Sequence, residues 1–496
     1  MQNVVMRRHE IPTRALQIGI FLSLLLFGYS NLYKPLPAWQ SEALVVVIAQ
    51  DSTLTYEEFS KQLAQKFAAY LAVPLKIILV PANQVEATML SRHAHLSASG
   101  FSLAEKNPAL LFGPGYLTLR EQVAYNQYQP APRNTSGLLG KRIAVVAGSN
   151  QEKALITLKE QLPALNWESR KNQTVEDLLG EVSKGALDYT IADHEQIAQM
   201  LNFHPNLAVA FNIGKPSQLA WAFPANADNE LIAANERFFA SIEKNGELNK
   251  LLDHYFGHND RLAPLDAAEF MKQLDTTLPR YQSLFEEVGK VVNEDWRLIA
   301  AIAYQESHWD PLATSFTNVR GMMMLTEATA DEMKVANRLN PRDSTLGGAK
   351  YLRQIKEQLP DSIQEPARTW MALAAYNQGM GHLEDARVLT QRQKADKDAW
   401  TDVKKWMPSL NNPLYFEKLK HGYARGGEAV IFVENIRAYY DMLTRLDSHN
   451  DSEKQPRHAY QLVSTRDKPA FSLSGLRKAE VGSHNKQAAV DYSLVR

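Results

Sequence analysis

The chain of 496 residues contains no cysteine. This absence excludes disulfide bonds, thiolate metal sites and attachment to lipid through a cysteine. A large net charge is also missing, because 54 Lys and Arg residues stand against 55 Asp and Glu residues, which gives a formal net charge of −1. No basic block interleaves with aromatic residues, so the sequence gives no indication that nucleic acid is a partner.

Long apolar runs are scarce as well. The strongest one, residues 18–27, has ten residues, which is short of the roughly 20 that a membrane-spanning helix needs. Its flanks are typical of an export signal, with Arg7, Arg8 and Arg14 before it and Gly28 and Ser30 after it. Residues 1–30 are therefore predicted to be a signal peptide, followed by a short linker at 31–42. An uncleaved membrane anchor is the alternative.

The length exceeds what one hydrophobic core usually serves, so two domains of about 200 residues each are expected. Residues 43–257 alternate short β-branched runs with amphipathic segments, as in ALVVVIAQ, TYEEFSKQLAQKFAAYLAV and LKIILV. Apolar residues recur at three-and-four spacing in the second of these and crowd together in the other two. The alternation predicts βαβ units around a parallel sheet, which is an α/β domain.

Residues 43–257, including the closing sequence FFASIEKNGELNKLLDHYFG, resemble the type 3 extracytoplasmic solute-binding proteins, whose two lobes close on amino acids. The resemblance implies that Arg120 holds a ligand carboxylate and that Asp193 holds an amino group. A planar guanidinium binds a carboxylate through two parallel hydrogen bonds, which suits Arg120 to that role. The residues also allow a simpler interpretation, in which Arg120 forms a surface or hinge ion pair and Asp193 caps a helix.

The rest of the chain has a different pattern. Residues 258–283 are polar and contain two prolines, so they are predicted to form a linker that carries a helix. From 284 to 447 the apolar periodicity is almost wholly helical, which predicts an all-α domain. Residues 448–496 lose this periodicity and are predicted to be disordered. The expected fold class is α/β plus all-α.

The segment WRLIAAIAYQES, residues 296–307, carries a carboxylate at the end of an apolar helix. Glu306 lies about one helical turn beyond Ile302 and is therefore expected on the apolar face. Partial removal from water raises the pKa of a carboxyl group, and a raised pKa suits a general acid that works near neutral pH. A solvated glutamate without a catalytic role is the alternative that this helix leaves open.

Four further segments follow this helix: VRGMMMLTEATA, GGAKYL, ALAAYNQGMGHLEDA and YARGGEAVIFVENIRAYY. In this order and spacing they resemble the soluble lytic transglycosylases, which have a goose-type lysozyme-like fold. The resemblance implies a lyase that cleaves the bond between N-acetylmuramic acid and N-acetylglucosamine in peptidoglycan and leaves 1,6-anhydro-muramic acid ends. It implies no cofactor and no metal, and the sequence offers no cysteine cluster or histidine-rich motif for one.

The resemblance makes Glu306 the catalytic acid and base. It places six further residues in the substrate site: Ser307, Ser315, Met322, Met323, Tyr376 and Asn377. In this arrangement Ser315 lies near the sugar N-acetyl group, the two methionines line the cleft, and the Tyr–Asn pair faces the acid. Met324 departs from the family, since most relatives have glutamine there. Asn318 replaces a common turn glycine, and asparagine tolerates a left-handed conformation.

These residues also have simpler explanations. Three consecutive methionines often fill gaps in a core, and Tyr376 and Asn377 can be a buried pair whose polar atoms are satisfied by the backbone. Asp310, four residues after Glu306, would suit a glycosidase with two carboxylates. Its place before Pro311 instead favours a role in ending the helix.

Two functions from different classes are compatible with the sequence. One is a peptidoglycan lytic transglycosylase whose first domain senses or positions muropeptides or amino acids. The other is a periplasmic solute-binding or signalling protein whose second domain holds glycan strands without cleaving them. Glu306 and its companions favour the enzyme, because a binding domain has no need of the acid. The resemblance also implies a periplasmic protein that is peripherally attached to the outer membrane.

Overall fold

The computed structural model describes residues 39–40, 42–50, 54–91, 94–259, 262–452 and 462–464, with side chains described up to residue 446. The predicted signal peptide, residues 1–30, lies outside the described residues. So do most of the predicted linker 31–42 and most of the predicted disordered tail.

Ten strands among the described residues form one mixed sheet. They are β1 Leu44–Ala49, β2 Leu75–Val80, β3 Leu96–Ser102, β4 Leu110–Phe112, β5 Leu117–Asn126, β6 Ile143–Val146, β7 Glu168–Arg170, β8 Tyr189–Asp193, β9 Leu207–Pro224 and β10 Leu462–Ser464. Their order is β10-β2-β1-β3-β9-β5-β8-β6-β7, with β4 paired to β9.

The sheet has two parallel parts. β1 pairs in parallel with β2 and β3, and β6 pairs in parallel with β7 and β8. The long strands β5 and β9 run antiparallel to each other and join the two parts. The chain therefore crosses between two lobes along β5 and β9, which is the two-lobed arrangement that the family resemblance implies. The sheet is mixed, and not parallel throughout as the βαβ pattern predicts, because β5 and β9 pair antiparallel with their neighbours.

Helices cover the faces of both lobes. They are α1 Leu54–Leu71, α2 Ala82–Leu90, α3 Asn150–Gln161, α4 Val175–Ser183, α5 His194–Leu201, α6 Asn229–Lys244 and α7 Glu247–Phe256. Aromatic side chains dominate the core of the first lobe, where the rings of Phe67 and Trp221 lie 5.3 Å apart. The second lobe has smaller cores on each side of its strands, built around Leu178 and Ile191.

The remainder of the described chain is helical. Its helices are α8 Pro264–Thr276, α9 Leu278–Val292, α10 Trp296–Ser307, α11 Glu327–Glu332, α12 Pro341–Gln358, α13 Ala367–Gln378, α14 Met380–Arg392, α15 Trp400–Trp406, α16 Pro413–Phe416 and α17 Gly426–Ser452, with a 3₁₀ turn at Met407–Asn411. They share one core with α10 and α13 at its centre. The predicted order of an α/β domain followed by an all-α domain is confirmed.

The segment predicted to be a linker, 258–283, is largely helical and packs into this core. Phe270 of α8 is fully buried, and its ring centroid lies 4.6 Å from that of Tyr304 and 4.5 Å from that of Tyr439. Only Ala267 and Phe270 are buried on α8, so its overall composition is polar although it completes the core. The helical core thus begins at α8 rather than at residue 284.

The end of the helical region also differs from the sequence prediction. Helix α17 continues through Ser452, past the predicted start of disorder at 448. The three residues of β10 pair antiparallel with β2, with Leu462 opposite Ile78. A strand at the edge of a sheet presents unpaired backbone groups, and a short added strand satisfies them.

The two regions meet at α7 and α17. Arg437 of α17 is 2% exposed and lies 3.0 Å from the carboxylate of Asp253 on α7. Lys404 joins the same acid to Glu434, at 2.5 and 3.1 Å. Because buried charges need partners, this network fixes α17 against the α/β region.

Candidate active site

Helix α10 is anchored in the helical core and delivers its last turn to the surface. Asp295 caps its first turn by accepting the backbone N–H of Arg297 at 2.9 Å. The seven consecutive residues from Leu298 to Tyr304 are buried. The helix ends where His308 adopts a left-handed conformation, with φ 52°. The residues between Tyr304 and His308 therefore emerge from the core at a fixed position.

Glu306 lies half-buried in this last turn. Burial raises the pKa of its carboxyl group to about 8, and no charge or hydrogen bond from the described residues contributes to the shift. Asp310 is exposed, and its carboxylate accepts the backbone N–H of Leu312 at 2.9 Å. Asp310 therefore stabilises the turn after the helix, and no carboxylate of the described residues shifts the pKa of Glu306.

Ser307 and the methionine segment hold the acid in place through the backbone. The hydroxyl of Ser307 donates to the carbonyl oxygens of Ala303 and Met322, at 3.1 and 2.9 Å. Met322 and Met323 are fully buried. Their side chains therefore fill the core, as the simpler interpretation holds, and do not line the cleft as the resemblance implies. The methionines contribute their carbonyl groups to this site.

Tyr376 lies close to the acid. Its hydroxyl donates to the carbonyl oxygen of Met323 at 3.2 Å. Burial, together with the nearby charge of Glu306, raises the pKa of the Tyr376 hydroxyl well above its usual value. Asn377, the next residue, is exposed at the end of α13. The structure thus brings Glu306, Ser307, Met323 and Tyr376 together and leaves Asn377 at the rim.

Ser315 lies in the loop between α10 and the methionine segment. Its hydroxyl accepts the backbone N–H of Val319 at 3.2 Å and lies 2.9 Å from the hydroxyl of Thr317. Asn318 takes the left-handed conformation expected of it, with φ 65°. At Gly321, with φ 85°, a β-carbon would come within 1.7 Å of the carbonyl oxygen of Arg338, so only glycine fits there.

A cavity lies between the lobes of the α/β region. Asp193 lines it, but Arg120 does not and has an exposed side chain. Successive side chains of a strand point to opposite faces, and on β5 it is Leu119 that faces the cavity. Arg120 thus lies outside this cavity, and its role in holding a ligand carboxylate stays a prediction.

Asp193 is both a helix cap and a contact between the lobes. Its Oδ1 accepts the backbone N–H groups of Glu195 and Gln196, at 2.9 and 3.0 Å, and the hydroxyl of Tyr56 at 3.1 Å. Tyr56 belongs to the first lobe and Asp193 to the second. The simpler interpretation of Asp193 as an N-cap is correct, and its position in the cavity is retained as well.

Sequence reasoning missed Glu121, which lies opposite Asp193 in the pairing of β5 with β8. Burial, and then the charge of Asp193, raises the pKa of Glu121, and burial raises the pKa of Asp193. The amide of Gln151 donates to Glu121 at 3.0 Å. The two-residue alternation of β5 could have pointed to Glu121, because the neighbour of an exposed arginine on a strand is on the buried face.

The comparisons with known proteins address both regions. The Transglycosylase SLT domain family matches residues 283–400, which contain α10, the methionine segment and Tyr376. ArgBP from T. maritima, as the P235GK mutant, covers 43% of this chain at 18% identity with a TM-score of 0.39. The amino acid substrate-binding protein AbpA from Streptococcus pneumoniae, bound to L-arginine, covers 44% at 22% identity with a TM-score of 0.38. These structures are covered over 95% and 96% of their own chains.

A helical SLT domain with a half-buried acid at the end of its central helix, joined to a two-lobed α/β domain, defines a peptidoglycan-cleaving lytic transglycosylase. A relative from Methylobacillus flagellatus is 41% identical over 456 residues, which cover 89% of this chain and 95% of that protein. One from Pseudomonas putida strain GB-1 is 43% identical over 415 residues, covering 82% and 86%. Both are membrane-bound lytic murein transglycosylases F, and the chain belongs to this family.

The family name indicates a protein of the cell envelope. In the described ranges, none of the helices combines the length and the apolar character that crossing a bilayer requires. Nor do the described side chains include a group of three or more His, Asp and Glu residues arranged to hold a metal ion. The expectation of an enzyme rather than a non-catalytic glycan-binding protein is confirmed by the family.

Proposed function

We propose that Glu306 is the acid and base of the transglycosylase reaction. Its protonated carboxyl group donates a proton to the glycosidic oxygen between N-acetylmuramic acid and N-acetylglucosamine, while the substrate's N-acetyl carbonyl stabilises the positive charge that develops at C1. The resulting carboxylate accepts the proton of the muramoyl C6 hydroxyl, whose oxygen bonds to C1. The products are a free N-acetylglucosamine hydroxyl and a 1,6-anhydro ring, and Glu306 ends protonated.

The observation that carries this proposal is the isolation of Glu306 in a half-buried position. A general acid must hold its proton at the working pH, and burial raises the pKa of Glu306 to about 8. A glycosidase with two carboxylates would need a second acid on the opposite side of the sugar, and Asp310 is instead exposed and bound to its own turn. One acid acting in turn as donor and acceptor matches this arrangement.

The neighbours of Glu306 have supporting roles in this proposal. Ser307 ties the acid to the methionine segment, and Tyr376 closes the site from α13 by bonding to the same segment. Asn377 is exposed at the end of α13 and Ser315 is half-buried in the loop after α10, and both would contact sugar substituents. Met322 and Met323 support the site from the core.

Product analysis tests the chemistry directly. Incubating the purified protein with peptidoglycan and separating the products by mass spectrometry should give fragments with anhydro-muramic ends. These are lighter by one water molecule than the corresponding hydrolysis products. Reducing-end muramic acid as the main product would identify water as the nucleophile and would overturn the proposed role of the C6 hydroxyl.

We also propose that the cavity between the lobes binds the ammonium group of an amino acid or a muropeptide stem. Asp193 lines the cavity and Glu121 lies opposite it on the neighbouring strand, so a bound cation would favour the ionised forms of both acids. Lys153 is the one basic side chain among the described residues that line the cavity, and its ammonium group already pairs with the carboxylate of Glu105 at 2.6 Å. Titration calorimetry of the protein with free amino acids and stem peptides tests the proposal, and an N-acetylated peptide that binds as well as its free amine would contradict it.

For its location, we propose a periplasmic protein peripherally attached to the outer membrane. The export-signal pattern of residues 1–30 and the family name support this assignment. N-terminal sequencing of the protein from cell envelopes should give a start near Ser30, and the protein should leave outer-membrane fractions when peripheral contacts are disrupted. A protein that begins at Met1 and stays in the inner membrane would support the anchor instead.

A further inference from the structure

The loop that follows α10 carries a phenylalanine without packing partners among the described residues. The exposed fraction of Phe316 is 102%, the largest of the exposed large hydrophobic side chains in the described ranges. Burying such a ring typically contributes about 1.5–3 kcal/mol, so full exposure forgoes that stabilisation. Single apolar residues are common on protein surfaces, and exposure alone therefore does not define a site.

The backbone that carries Phe316 is fixed by hydrogen bonds. The N–H of Asn318 donates to the carbonyl oxygen of Ser315 at 3.1 Å, which closes a turn with Phe316 inside it. The N–H of Ser315 donates to the carbonyl oxygen of Val319 at 3.0 Å. The guanidinium of Arg338 donates to the carbonyl oxygen of Asn318 at 2.8 Å. Phe316 is thus held outward by a rigid turn, which lowers the entropic cost of using the ring in binding.

The same loop is tied to the catalytic helix. At its base the N–H of Gly321 donates to the carbonyl oxygen of Ala313 at 2.9 Å. The residue after Gly321, Met322, accepts the hydroxyl of Ser307, which is next to Glu306. Two residues, Thr314 and Ser315, separate Ala313 at this base from Phe316. The turn that carries Phe316 is therefore continuous, through Gly321 and Met322, with the segment that holds the last turn of α10.

We propose that the ring of Phe316 stacks on the C–H face of a sugar unit next to the scissile bond and so positions the glycan strand over Glu306. This inference rests on the proposed function of Glu306. A pyranose ring presents C–H groups on its faces and hydroxyl groups at its edge. The negative face of an aromatic ring attracts such C–H groups, and the contact buries apolar surface on both partners.

The residues around the ring match a sugar. Thr314, Thr317 and Asn318 are exposed, and all three are polar without charge. They offer hydroxyl and amide groups to the edge of a sugar whose face is covered by Phe316. Leu312 is also exposed in this loop, and Arg338 binds the turn, so one more apolar and one basic side chain lie nearby. The uncharged hydroxyl and amide groups next to the ring outnumber them, and we therefore assign the turn to the glycan strand, with a lipid surface as the alternative that vesicle binding tests.

Kinetics on soluble, peptide-free glycan strands test the proposal with the full chain. Phe316→Ala should raise KM about tenfold, the scale of one aromatic contact with its buried area, and leave kcat unchanged. Phe316→Trp should restore the wild-type KM. Leu312→Ala is the matched control, since Leu312 is also exposed in this loop, at 68%, and it should behave as wild type. An unchanged KM in Phe316→Ala, or an equal loss in Leu312→Ala, would overturn the proposal.

Binding measurements separate this inference from the function on which it rests. In the background of Glu306→Gln, calorimetry should show weaker binding of the same strands when Phe316 is alanine. If Glu306→Gln is inactive and the Phe316 variant binds normally, the stacking role fails while the function stands. If Glu306→Gln remains active, the function fails. Loss of binding to phosphatidylethanolamine–phosphatidylglycerol vesicles, with cleavage of soluble strands unchanged, would assign Phe316 to a membrane and also overturn stacking.

Discussion

The helical region and the α/β region both bury carboxyl groups with raised pKa values, but they surround them differently. Burial is the cause of the shift at Glu306, with no charge or hydrogen bond from the described residues taking part. Asp193 instead accepts three hydrogen bonds and faces a second acid, Glu121. The first arrangement suits a proton donor, whereas in the second a bound cation would stabilise the ionised forms of the two neighbouring acids.

This contrast explains why the pKa shift alone does not identify the catalytic acid. Buried acids occur in structural and binding sites as well as in active sites. Glu306 differs because its helix ends at the surface and because a tyrosine from α13 lies beside it. The geometry around an acid, and not the size of its shift, separates proton transfer from ligand binding.

The sharpest test of the comparison replaces each acid by its amide. Glu306→Gln keeps the shape of the side chain but cannot donate a proton, so the rate of glycan cleavage should fall by about 10²–10⁴-fold or more. Release of anhydro-muropeptides from peptidoglycan measures this rate. Asp310→Asn makes the same chemical change at an exposed carboxyl and should cleave normally. Turnover of Glu306→Gln within tenfold of wild type would end the assignment.

The corresponding change in the α/β region should affect binding and leave the chemistry intact. Asparagine caps helices about as well as aspartate, so Asp193→Asn should retain α5. It removes one negative charge from the cavity, and ligand affinity should fall about tenfold, the effect of losing one charged hydrogen bond. Calorimetry with stem peptides measures this loss. Basal cleavage without ligand should be unchanged, and a loss of basal activity would break the proposed separation of roles.

Stability as a function of pH sharpens the contrast further. The folded-state pKa of Glu306, about 8, lies above the ordinary value of 4.5. Folding therefore favours the protonated form, and the contribution of this group to stability is present below pH 4.5 and is lost as pH rises towards 8. Glu306→Gln cannot ionise, so the variant does not lose this stability as pH rises.

The variant should gain on the order of 1 kcal/mol at pH 8, a rise in Tm of roughly 2–4 °C, and should match wild type near pH 4. Thermal unfolding across this range provides the measurement. Asp310→Asn serves again as the control and should not reproduce the gain. An equal Tm difference at both ends of the range would mean that Glu306 is solvated.

The residues of the helical site can be predicted from the sequence better than those of the cavity, for a physical reason. A helix places residues three and four apart on one face, so the apolar pattern from Leu298 to Tyr304 correctly predicts that Glu306 emerges half-buried. Successive side chains of a strand point to opposite faces of the sheet. An error of one position in the alignment therefore places Arg120, and not Glu121, on the face next to Asp193. The burial of Met322 and Met323 depends on packing from distant helices, which local sequence does not encode.

The domain boundaries follow the same logic. Helix α8 has only Ala267 and Phe270 buried, so its local pattern is too weak to predict that it belongs to the helical core. Its place there is decided by Tyr304 and Tyr439, which come much later in the chain and provide the pocket for Phe270. Tertiary contacts of this kind decide boundaries that composition alone misplaces.

The smallest expected effect concerns communication between the two regions. Arg445 of α17 lies 3.6 Å from Glu176 in the second lobe and donates to the hydroxyl of Thr55 in the first. The same helix reaches α10, because the hydroxyl of Tyr440 donates to Asp295 at 3.0 Å. A hinge motion that closes the lobes would move Thr55 and Glu176 relative to each other, and Arg445 would transmit that motion towards Glu306.

Arg445→Ala should therefore leave ligand binding and basal cleavage near wild type but reduce the change in cleavage rate that a bound stem peptide causes. A ligand shifts an equilibrium only through its different affinity for the two states, and couplings of this kind are typically about 1–3 kcal/mol. Loss of one bridging side chain should remove part of this coupling free energy, and the response of the cleavage rate to the peptide should fall a few-fold. Arg353→Ala, which removes an exposed arginine that pairs within α12, should have no effect. If stem peptides bind and cleavage does not respond in the wild type, the α/β region only positions substrate, and the two kinds of buried acid act independently.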